Sequence, residues 1–370
     1  MKNKGLGAAL FVGVAALPSL GWASALNDAV PGELTGEVGV HWQREKPRSD
    51  EAGGFALGYG ALNYESESLS GFNAALGVRG TLKLDERNDG DYRGAISDDL
   101  ILPVALLRYT HDQLGSLTLG RQEVDFEWLN DFVEGATLQL TPMDDLEINL
   151  GWSRRQAVAD PDEVVDFEKM NESKGLYLLD LKYSPLEWLE LNPYYYHAPD
   201  LFQAPGIGIT ASYEINPELA ASSTVKLALS STDSDSGAQD GGVVWLEQML
   251  GYRDLEVAAG FIKVDQDGNG LLESFGDQQP MEEGNRIFEP DARTIYLSLA
   301  HPLGPVSLGA GLAHTSYDNA GSDVDETEWN LVAGYEIMEA LELELVYINV
   351  DNDDRDESYH TIKTGLTYRF

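Results

Sequence analysis

Apolar and polar residues alternate along much of the chain from Glu33 onward. Over residues 72–84 the even positions hold apolar side chains, apart from Gly80, while the odd positions hold small or polar ones. The same two-residue period recurs over residues 146–153 and 341–347. Successive side chains of a β-strand point to opposite faces of the sheet, so this pattern predicts strands with one apolar and one hydrophilic face.

About eighteen such strands can be placed, and they predict an all-β chain that folds as a transmembrane, antiparallel, up-and-down β-barrel. If residues 102–120 are assigned differently, the alternative is a barrel of sixteen strands. An even number of strands puts both termini on the periplasmic side of an outer membrane. The predicted strands are residues 32–42, 55–65, 70–84, 102–112, 115–121, 133–141, 145–154, 175–183, 188–197, 206–215, 221–231, 242–250, 254–263, 292–300, 305–316, 327–337, 341–350 and 359–370.

Residues 1–25 have the pattern of a cleaved signal peptide, and residues 26–370 are then the barrel. Lys2 and Lys4 precede an apolar stretch, and Ala23-Ser24-Ala25 supplies the small-x-small pattern of a cleavage site. No later segment has the roughly 18 consecutive apolar residues of a membrane-spanning helix. A chain that crosses a membrane without such helices must form a closed barrel, because every backbone amide in the bilayer needs a hydrogen-bond partner.

The connections between the predicted strands alternate between tight turns and long acidic segments. Pro142, Pro185, Pro217 and Pro302 mark four of the tight turns. The long segments, residues 85–101, 264–291 and 351–357, are rich in Asp and Glu. Outer-membrane barrels have short periplasmic turns and long extracellular loops. The last ten residues alternate up to Phe370 and look like the terminal strand of bacterial outer-membrane barrels, so we expect the outer membrane as the location.

Composition excludes several other classes of function. The net charge is −39, and without Lys2 and Lys4 it becomes −41 for residues 26–370, so nucleic acid is an implausible partner. The chain has no cysteine, which excludes a disulfide framework and a thiolate metal site. The six histidines are scattered, and no serine lies in a G-x-S-x-G turn, so we expect no enzymatic activity.

The segment from Leu119 to Leu138 differs from the other connections because it is both acidic and aromatic. We expect it to be the third extracellular loop, folded into the lumen as a constriction. The candidate constriction residues are Arg121, Glu123, Asp125, Glu127, Asp131 and Glu134.

In Gly120-Arg121-Gln122, the aromatic run after it and Phe132-Val133-Glu134-Gly135, the chain resembles the Opr-type outer-membrane porins, the family of the major outer membrane porins and the OprD-like channels. The resemblance implies a channel whose third loop forms the constriction. It also implies a ladder of lumenal bases that guides anionic solutes such as small carboxylates.

The charges on the hydrophilic strand faces predict a different selectivity. Bases on these faces include Arg79, Lys83, Arg108 and Lys226, with Lys363 and Arg369 on the last strand. Lumenal acids, including Glu147, Glu190, Glu342 and Glu344, together with those of the constriction loop, outnumber them. The Debye length of ~8 Å does not screen such charges across a pore, so the sequence predicts a passive diffusion channel for small hydrophilic solutes and ions that prefers cations.

Two alternatives stay open at this stage: a substrate-specific channel for small carboxylates, and a surface receptor or adhesin barrel without general pore activity. We expect outer-membrane lipid and lipopolysaccharide around the barrel. The sequence does not decide between a monomer and a homotrimer.

One loop resembles the first half of a calcium-binding loop. Asp265, Asp267 and Asn269 follow the D-x-D-x-N-G spacing in which alternate oxygens converge on one cation. Gly276 occupies the twelfth position, where that motif has an acid, and Glu273 is the nearest substitute. We therefore include a structural Ca²⁺ held by Asp265, Asp267, Asn269 and Glu273 among the predictions, with no other cofactor expected.

Overall fold

A computed structural model describes residues 31–276 and 278–370. The predicted signal peptide, residues 1–25, lies outside the described residues. The one α-helix of the described part, α1, spans Asp91–Ala95, and 3₁₀-helices span Met170–Ser173, Leu272–Phe275 and Arg355–Glu357. The strands are β1 (Gly32–Pro47), β2 (Gly53–Ser66), β3 (Phe72–Glu86), β4 (Leu100–His111), β5 (Gly115–Glu123), β6 (Phe132–Met143), β7 (Leu146–Ala159), β8 (Val164–Lys169), β9 (Leu176–Leu186), β10 (Leu189–Ala198), β11 (Phe202–Asn216), β12 (Leu219–Thr232), β13 (Gly241–Tyr252), β14 (Leu255–Val264), β15 (Arg293–Leu303), β16 (Val306–Asp318), β17 (Asp323–Met338), β18 (Leu341–Asn352) and β19 (Tyr359–Arg369).

The strands form one closed antiparallel sheet in which neighbours in sequence are neighbours in space. Closure occurs between the first and last strands, where β1 pairs with β19 from Glu37 opposite Arg369 to Pro47 opposite Tyr359. β1 also pairs with β2 along its length. Because the sheet has no free edge, the backbone amides within it are paired from strand to strand.

Two of the strands share one position in the barrel. The upper part of β7 pairs with β8 and its lower part pairs with β9, so β8 and β9 are successive partners of the same strand. The barrel therefore has eighteen strand positions, as the sequence predicted. The short β8 was not predicted, because β7 and β8 together form a hairpin that extends beyond the membrane-crossing length.

The predicted alternation of faces is visible in exposure. Large apolar side chains point outward, among them Leu100, Leu229 and Ile295, which are 69%, 67% and 64% exposed. On the opposite face of β15, next to Ile295, lie the buried Thr294 and Tyr296. Such outward-facing apolar side chains are stable only when hydrocarbon covers them, so the exposed band is the lipid-facing surface.

Aromatic side chains mark both edges of this band. Trp152 and Tyr177 are paired on neighbouring strands near the long-loop end. Trp188 and Tyr213 lie at the end with tight turns. Amphipathic rings favour the depth of lipid headgroups, so the two levels are consistent with the girdles of an outer-membrane barrel.

Most of the differences from the predicted strands are at the long-loop end. β1 runs to Pro47 rather than residue 42, and β7 runs to Ala159 rather than residue 154. The physical reason is that pairing continues above the bilayer, where the amphipathic pattern no longer has to alternate against lipid. In residues 31–276 and 278–370, no helix has the length and apolar character needed to cross a membrane.

We expect charge to be tolerated on one face of β15 and not on the other. Leu297→Arg places a charge on the lipid face and should lower the free energy of unfolding by about 2–4 kcal/mol near the bilayer midplane. Ser298→Arg, one residue along and facing the lumen, should cost less than about 1 kcal/mol. Urea unfolding of the barrel in lipid vesicles measures both variants, and equal costs would contradict the assignment of faces.

Candidate functional site

The lumen is narrowed by three segments that fold inward from the long-loop end. The third loop, residues 124–131, connects β5 and β6. The hairpin tip, residues 160–163, joins β7 to β8. The seventh loop, described over residues 265–276 and 278–292, connects β14 and β15. The third and seventh loops bring apolar side chains into one buried cluster, whereas the residues beside the hairpin tip, Ala159 and Val164, belong to a second cluster with Tyr92 and Phe55.

The third loop is held against the inner face of β10 by an aromatic anchor. Trp128 is buried, its backbone N–H donates to the Tyr196 hydroxyl at 3.2 Å, and its indole N–H donates to the Tyr194 hydroxyl at 3.2 Å. The ring of Trp128 packs edge-on against Phe288 of the seventh loop. Two polar bonds and apolar packing therefore fix the loop inside the barrel, and its role as the constriction stays a prediction.

Glu127 is the constriction residue that reaches a base. Its carboxylate lies 2.8 Å from the Lys226 ammonium on β12, and that ammonium also lies 4.8 Å from the centre of the Trp245 ring. Asp125 is exposed, whereas Asp131 is partly buried in the closing turn of the loop. The loop thus brings together one predicted acid and one predicted lumenal base.

The seventh loop is fastened to the wall by a buried carboxylate. Glu328 of β17 is 3% exposed and accepts hydrogen bonds from the backbone N–H groups of Glu283 and Gly284 at 3.0 and 2.8 Å. Farther along the loop, Arg286 lies 2.7 Å from Glu357 and 2.8 Å from Glu289. These contacts hold the acidic loop inside the lumen, which its composition alone did not indicate.

Lys363 joins two of the inward segments. Its ammonium lies 3.2 Å from Asp162 at the hairpin tip and 3.9 Å from Glu283 in the seventh loop. Beside it on β19, a Cβ added at Gly365 would have no atom within 4 Å, so the lumen is open there. Lys363 is therefore the wall residue that anchors the tips of two loops at the edge of the open passage.

The other predicted lumenal bases are also paired with acids. Arg79, which is buried, lies 2.8 Å from Glu37, and Arg108 lies 3.4 Å from Glu65. The remaining two pairs are Lys83 with Glu86 at 2.7 Å and Arg369 with Glu342 at 2.8 Å. Each positive charge along this side of the lumen has an acid beside it.

Several acids of the inward segments have no ion-pair partner within the described part of the chain. Asp160, Glu163 and Glu282 contact water but are surrounded by the barrel wall. Partial burial raises the pKa of Asp160, and the neighbouring Asp162 raises it further. Burial also raises the pKa of Glu163 and of Glu282.

Asp162 behaves differently because it has a partner. Burial acts to raise its pKa, but the nearby Lys363 and His41 outweigh that effect and hold the pKa below its ordinary value. The lumen therefore contains a paired acid at the anchor and unpaired acids around it.

Two of the predicted constriction residues are placed elsewhere. Arg121 and Glu134 are paired opposite each other on β5 and β6, on the face that alternates with the inward-facing Thr118 and Gln122. Their side chains meet at 3.3 Å, and the Arg121 guanidinium stacks on Phe167 at 4.2 Å. This placement corrects the expectation that they belong to the constriction loop, because β5 and β6 continue past them and strand alternation turns them away.

Glu123 ends β5 and lines one recess with Glu65 and Arg108. The hairpin tip was missed by sequence reasoning. The signal that could have found it is a pair of short apolar segments, residues 157–159 and 164–167, on either side of the turn-forming Asp160-Pro161-Asp162-Glu163 and beyond the length of a membrane crossing.

The candidate calcium loop forms a tight turn against β13. The Asn269 amide donates to Glu273 at 2.9 Å and to the Phe288 carbonyl at 3.1 Å, while its oxygen accepts from the Leu272 N–H. Within residues 31–276 and 278–370, no three His, Asp or Glu side chains are grouped as ligands for a metal ion. The calcium site formed by Asp265, Asp267, Asn269 and Glu273 stays a prediction.

Comparison with known proteins agrees with this architecture. Residues 87–334 match a family model described as "Putative outer membrane protein". The chain belongs to this outer membrane protein family. Its location in the outer membrane follows from that membership, as the sequence predicted.

Solved structures with the same fold include OccAB4 of Acinetobacter baumannii, with a TM-score of 0.78, 15% identity, and coverage of 92% of this chain and 98% of that one. OccAB3 of the same organism has a TM-score of 0.78 and 14% identity, with coverage of 92% of this chain and 99% of that one. The outer membrane protein OprD of Pseudomonas aeruginosa has a TM-score of 0.72 and 12% identity, with coverage of 92% of this chain and 93% of that one. The resemblance to Opr-type porins is thus confirmed in the fold. No curated protein sequence matches the chain.

We expect Lys363→Met to release both loop tips. It would leave the partly buried Asp162 and Glu283 without their base, and the local stability lost should be about 1–2 kcal/mol, or roughly a tenfold faster amide exchange. Hydrogen exchange measured by mass spectrometry should show the increase around residues 160–163 and 282–284.

Lys83→Met is the matched control, since Lys83 pairs with Glu86 three residues away and anchors neither loop tip. Unchanged exchange at both tips in Lys363→Met would contradict the anchoring role.

Proposed function

We propose that the protein is a passive diffusion channel of the outer membrane for small hydrophilic solutes and ions, and that it prefers cations. The observation that carries this proposal is the charge balance of the lumen. The lumenal bases Arg79, Lys83, Arg108, Lys226, Lys363 and Arg369 are each within 3.4 Å of an acid, whereas Asp160, Glu163 and Glu282 form no ion pair among the described residues.

Paired charges contribute little to the potential in a pore, because the two fields largely cancel beyond a few ångströms. Unpaired acids set the sign of the potential, and the low-dielectric barrel wall focuses it into the passage. Cations are then concentrated and anions repelled, with a permeability ratio of roughly three to ten.

The resemblance to Opr-type porins favours a second candidate, a channel specific for small carboxylates guided by lumenal bases. The six lumenal bases named above are each paired with a neighbouring acid, and Lys182 lies opposite Glu147 on β7 without an ion pair in the ranges that the structure describes; the pairing of these six bases supports cation preference over carboxylate selectivity. A receptor or adhesin barrel would need no open passage. Liposome swelling with sugars of graded size separates a pore from such a barrel, since only a pore admits solute.

Removing the unpaired acids should reduce cation preference. For the triple variant Asp160→Asn, Glu163→Gln and Glu282→Gln, we expect the cation-to-anion permeability ratio to fall at least about threefold, since the uncompensated charge is lost. Reversal potentials in planar bilayers under a KCl gradient give this ratio.

The control triple, Asp353→Asn, Asp356→Asn and Asp323→Asn, removes the same charge from exposed residues near the loop tips. A wild-type channel that prefers anions, or an equal effect of both triples, would refute the proposal.

Cation preference should also weaken as pH falls, and earlier than for ordinary carboxylates. The pKa values of Asp160, Glu163 and Glu282 are raised, so these groups become protonated and neutral at a higher pH than an exposed acid. Cation preference should be at its maximum at neutral pH. As the pH is lowered, it should begin to decline above the pH range in which exposed carboxylates are protonated. Reversal potentials across a pH series measure this, and a decline that begins only within the ordinary range would contradict it.

A further inference from the structure

Three bases form a compact patch on the outside of the barrel at its long-loop end. Arg44 and Lys46 lie at the end of β1, and Arg87 follows the end of β3. All three are exposed, and none has an ion-pair partner in the part of the chain that the structure describes. This is unusual for a chain with 63 acids and 24 bases, in which most bases are paired.

Strand alternation turns the patch away from the lumen. His41 is buried inside the barrel and hydrogen-bonds to Gln43, and Gln43 is paired opposite the lumenal Lys363. Arg44 and Lys46 occupy the alternate positions of β1 and therefore face outward.

Gly54 lies between two of these bases on the neighbouring strand. It is paired opposite Arg44, and its carbonyl accepts the backbone N–H of Arg87 at 2.8 Å. Its φ of +145° and a Cβ position only 2.4 Å from the Gln43 carbonyl require glycine here. No side chain on the middle strand separates the bases.

The depth of the patch identifies its surroundings. Trp42 lies one step below Arg44 on the same face of β1, at the upper edge of the apolar band, where aromatic rings mark headgroup depth. Asp85 shares this face, paired with Ala56 beside Trp42, but makes no ion pair with Arg87. The strands therefore bring three cations and one acid to this face, and the Asp91 carboxylate lies at its upper edge, where it accepts the backbone N–H of Gly54 at 2.8 Å.

We propose that Arg44, Lys46 and Arg87 bind the phosphate groups of a phosphorylated glycolipid, the lipid A part of lipopolysaccharide, in the outer leaflet. Guanidinium groups bind phosphate oxygens in a bidentate manner, and a lysine adds a point charge. The acyl chains then lie along the apolar band below Trp42. The proposal rests on the location of the barrel in the outer membrane and is independent of its conductance.

The test measures lipid binding by native mass spectrometry of the detergent-folded barrel titrated with diphosphoryl lipid A. Each base near an anionic lipid surface strengthens binding by about fivefold, so the triple variant Arg44→Gln, Lys46→Gln and Arg87→Gln should bind at least about tenfold more weakly. The control triple, Lys182→Gln, Arg253→Gln and Arg355→Gln, removes the same charge elsewhere and should bind like wild type.

Further arms identify the ligand chemistry. With lipid A that lacks its phosphates, the wild type and the triple variant Arg44→Gln, Lys46→Gln and Arg87→Gln should bind equally. Inorganic phosphate should not displace diphosphoryl lipid A from the wild type. If the triple fails to give a heat-modifiable folded barrel, the single variants Arg44→Gln and Arg87→Gln should each weaken binding about threefold to fivefold. Equal binding by the patch and control variants, or displacement by inorganic phosphate alone, would overturn the proposal.

Discussion

Closure of the sheet between β1 and β19 is the constraint on which the rest of the structure depends. A bilayer offers no hydrogen-bond partner to a backbone amide, and an open edge across it would cost several kcal/mol for each unpaired group. The eleven-residue pairing from Glu37 to Pro47 against β19 removes that edge. Once the sheet is closed, alternation assigns every side chain either to lipid or to the interior.

The interior assignment explains how a strongly acidic chain folds in a membrane. Its charges are located in the lumen, on the loops and at the rim, and the band that contacts lipid is apolar. Inside, the wall bases Arg79, Arg108, Lys226, Lys363 and Arg369 each lie beside an acid, while the inward segments add acids that form no ion pair in the described part of the chain. Lys363 links the two arrangements, because it belongs to the wall and holds the tips of two loops.

The fold was readable from the sequence because membrane strands must alternate, and alternation is a local property. The strand number and the faces of β3, β18 and β19 follow from it, whereas the inward course of the third loop was expected from its acidic and aromatic composition. The rim of the barrel was less readable: above the bilayer β7 continues into a hairpin, and its tip reaches Lys363 through contacts between residues 200 positions apart in sequence. Arg121 and Glu134 lie inside the predicted strands 115–121 and 133–141, and counting them with the constriction loop ignored the alternation that turns their side chains away from the lumen.

The chain has no cysteine, which allows the central claim of a closed barrel around water to be tested at two adjacent positions. Gly365 faces the open lumen and Leu366, opposite Val40, faces lipid. A charged, water-soluble thiol reagent should change the ion current through Gly365→Cys barrels and leave Leu366→Cys barrels unaffected. Modification that alters both currents equally, or a folded barrel in a bilayer that carries no current, would contradict the account.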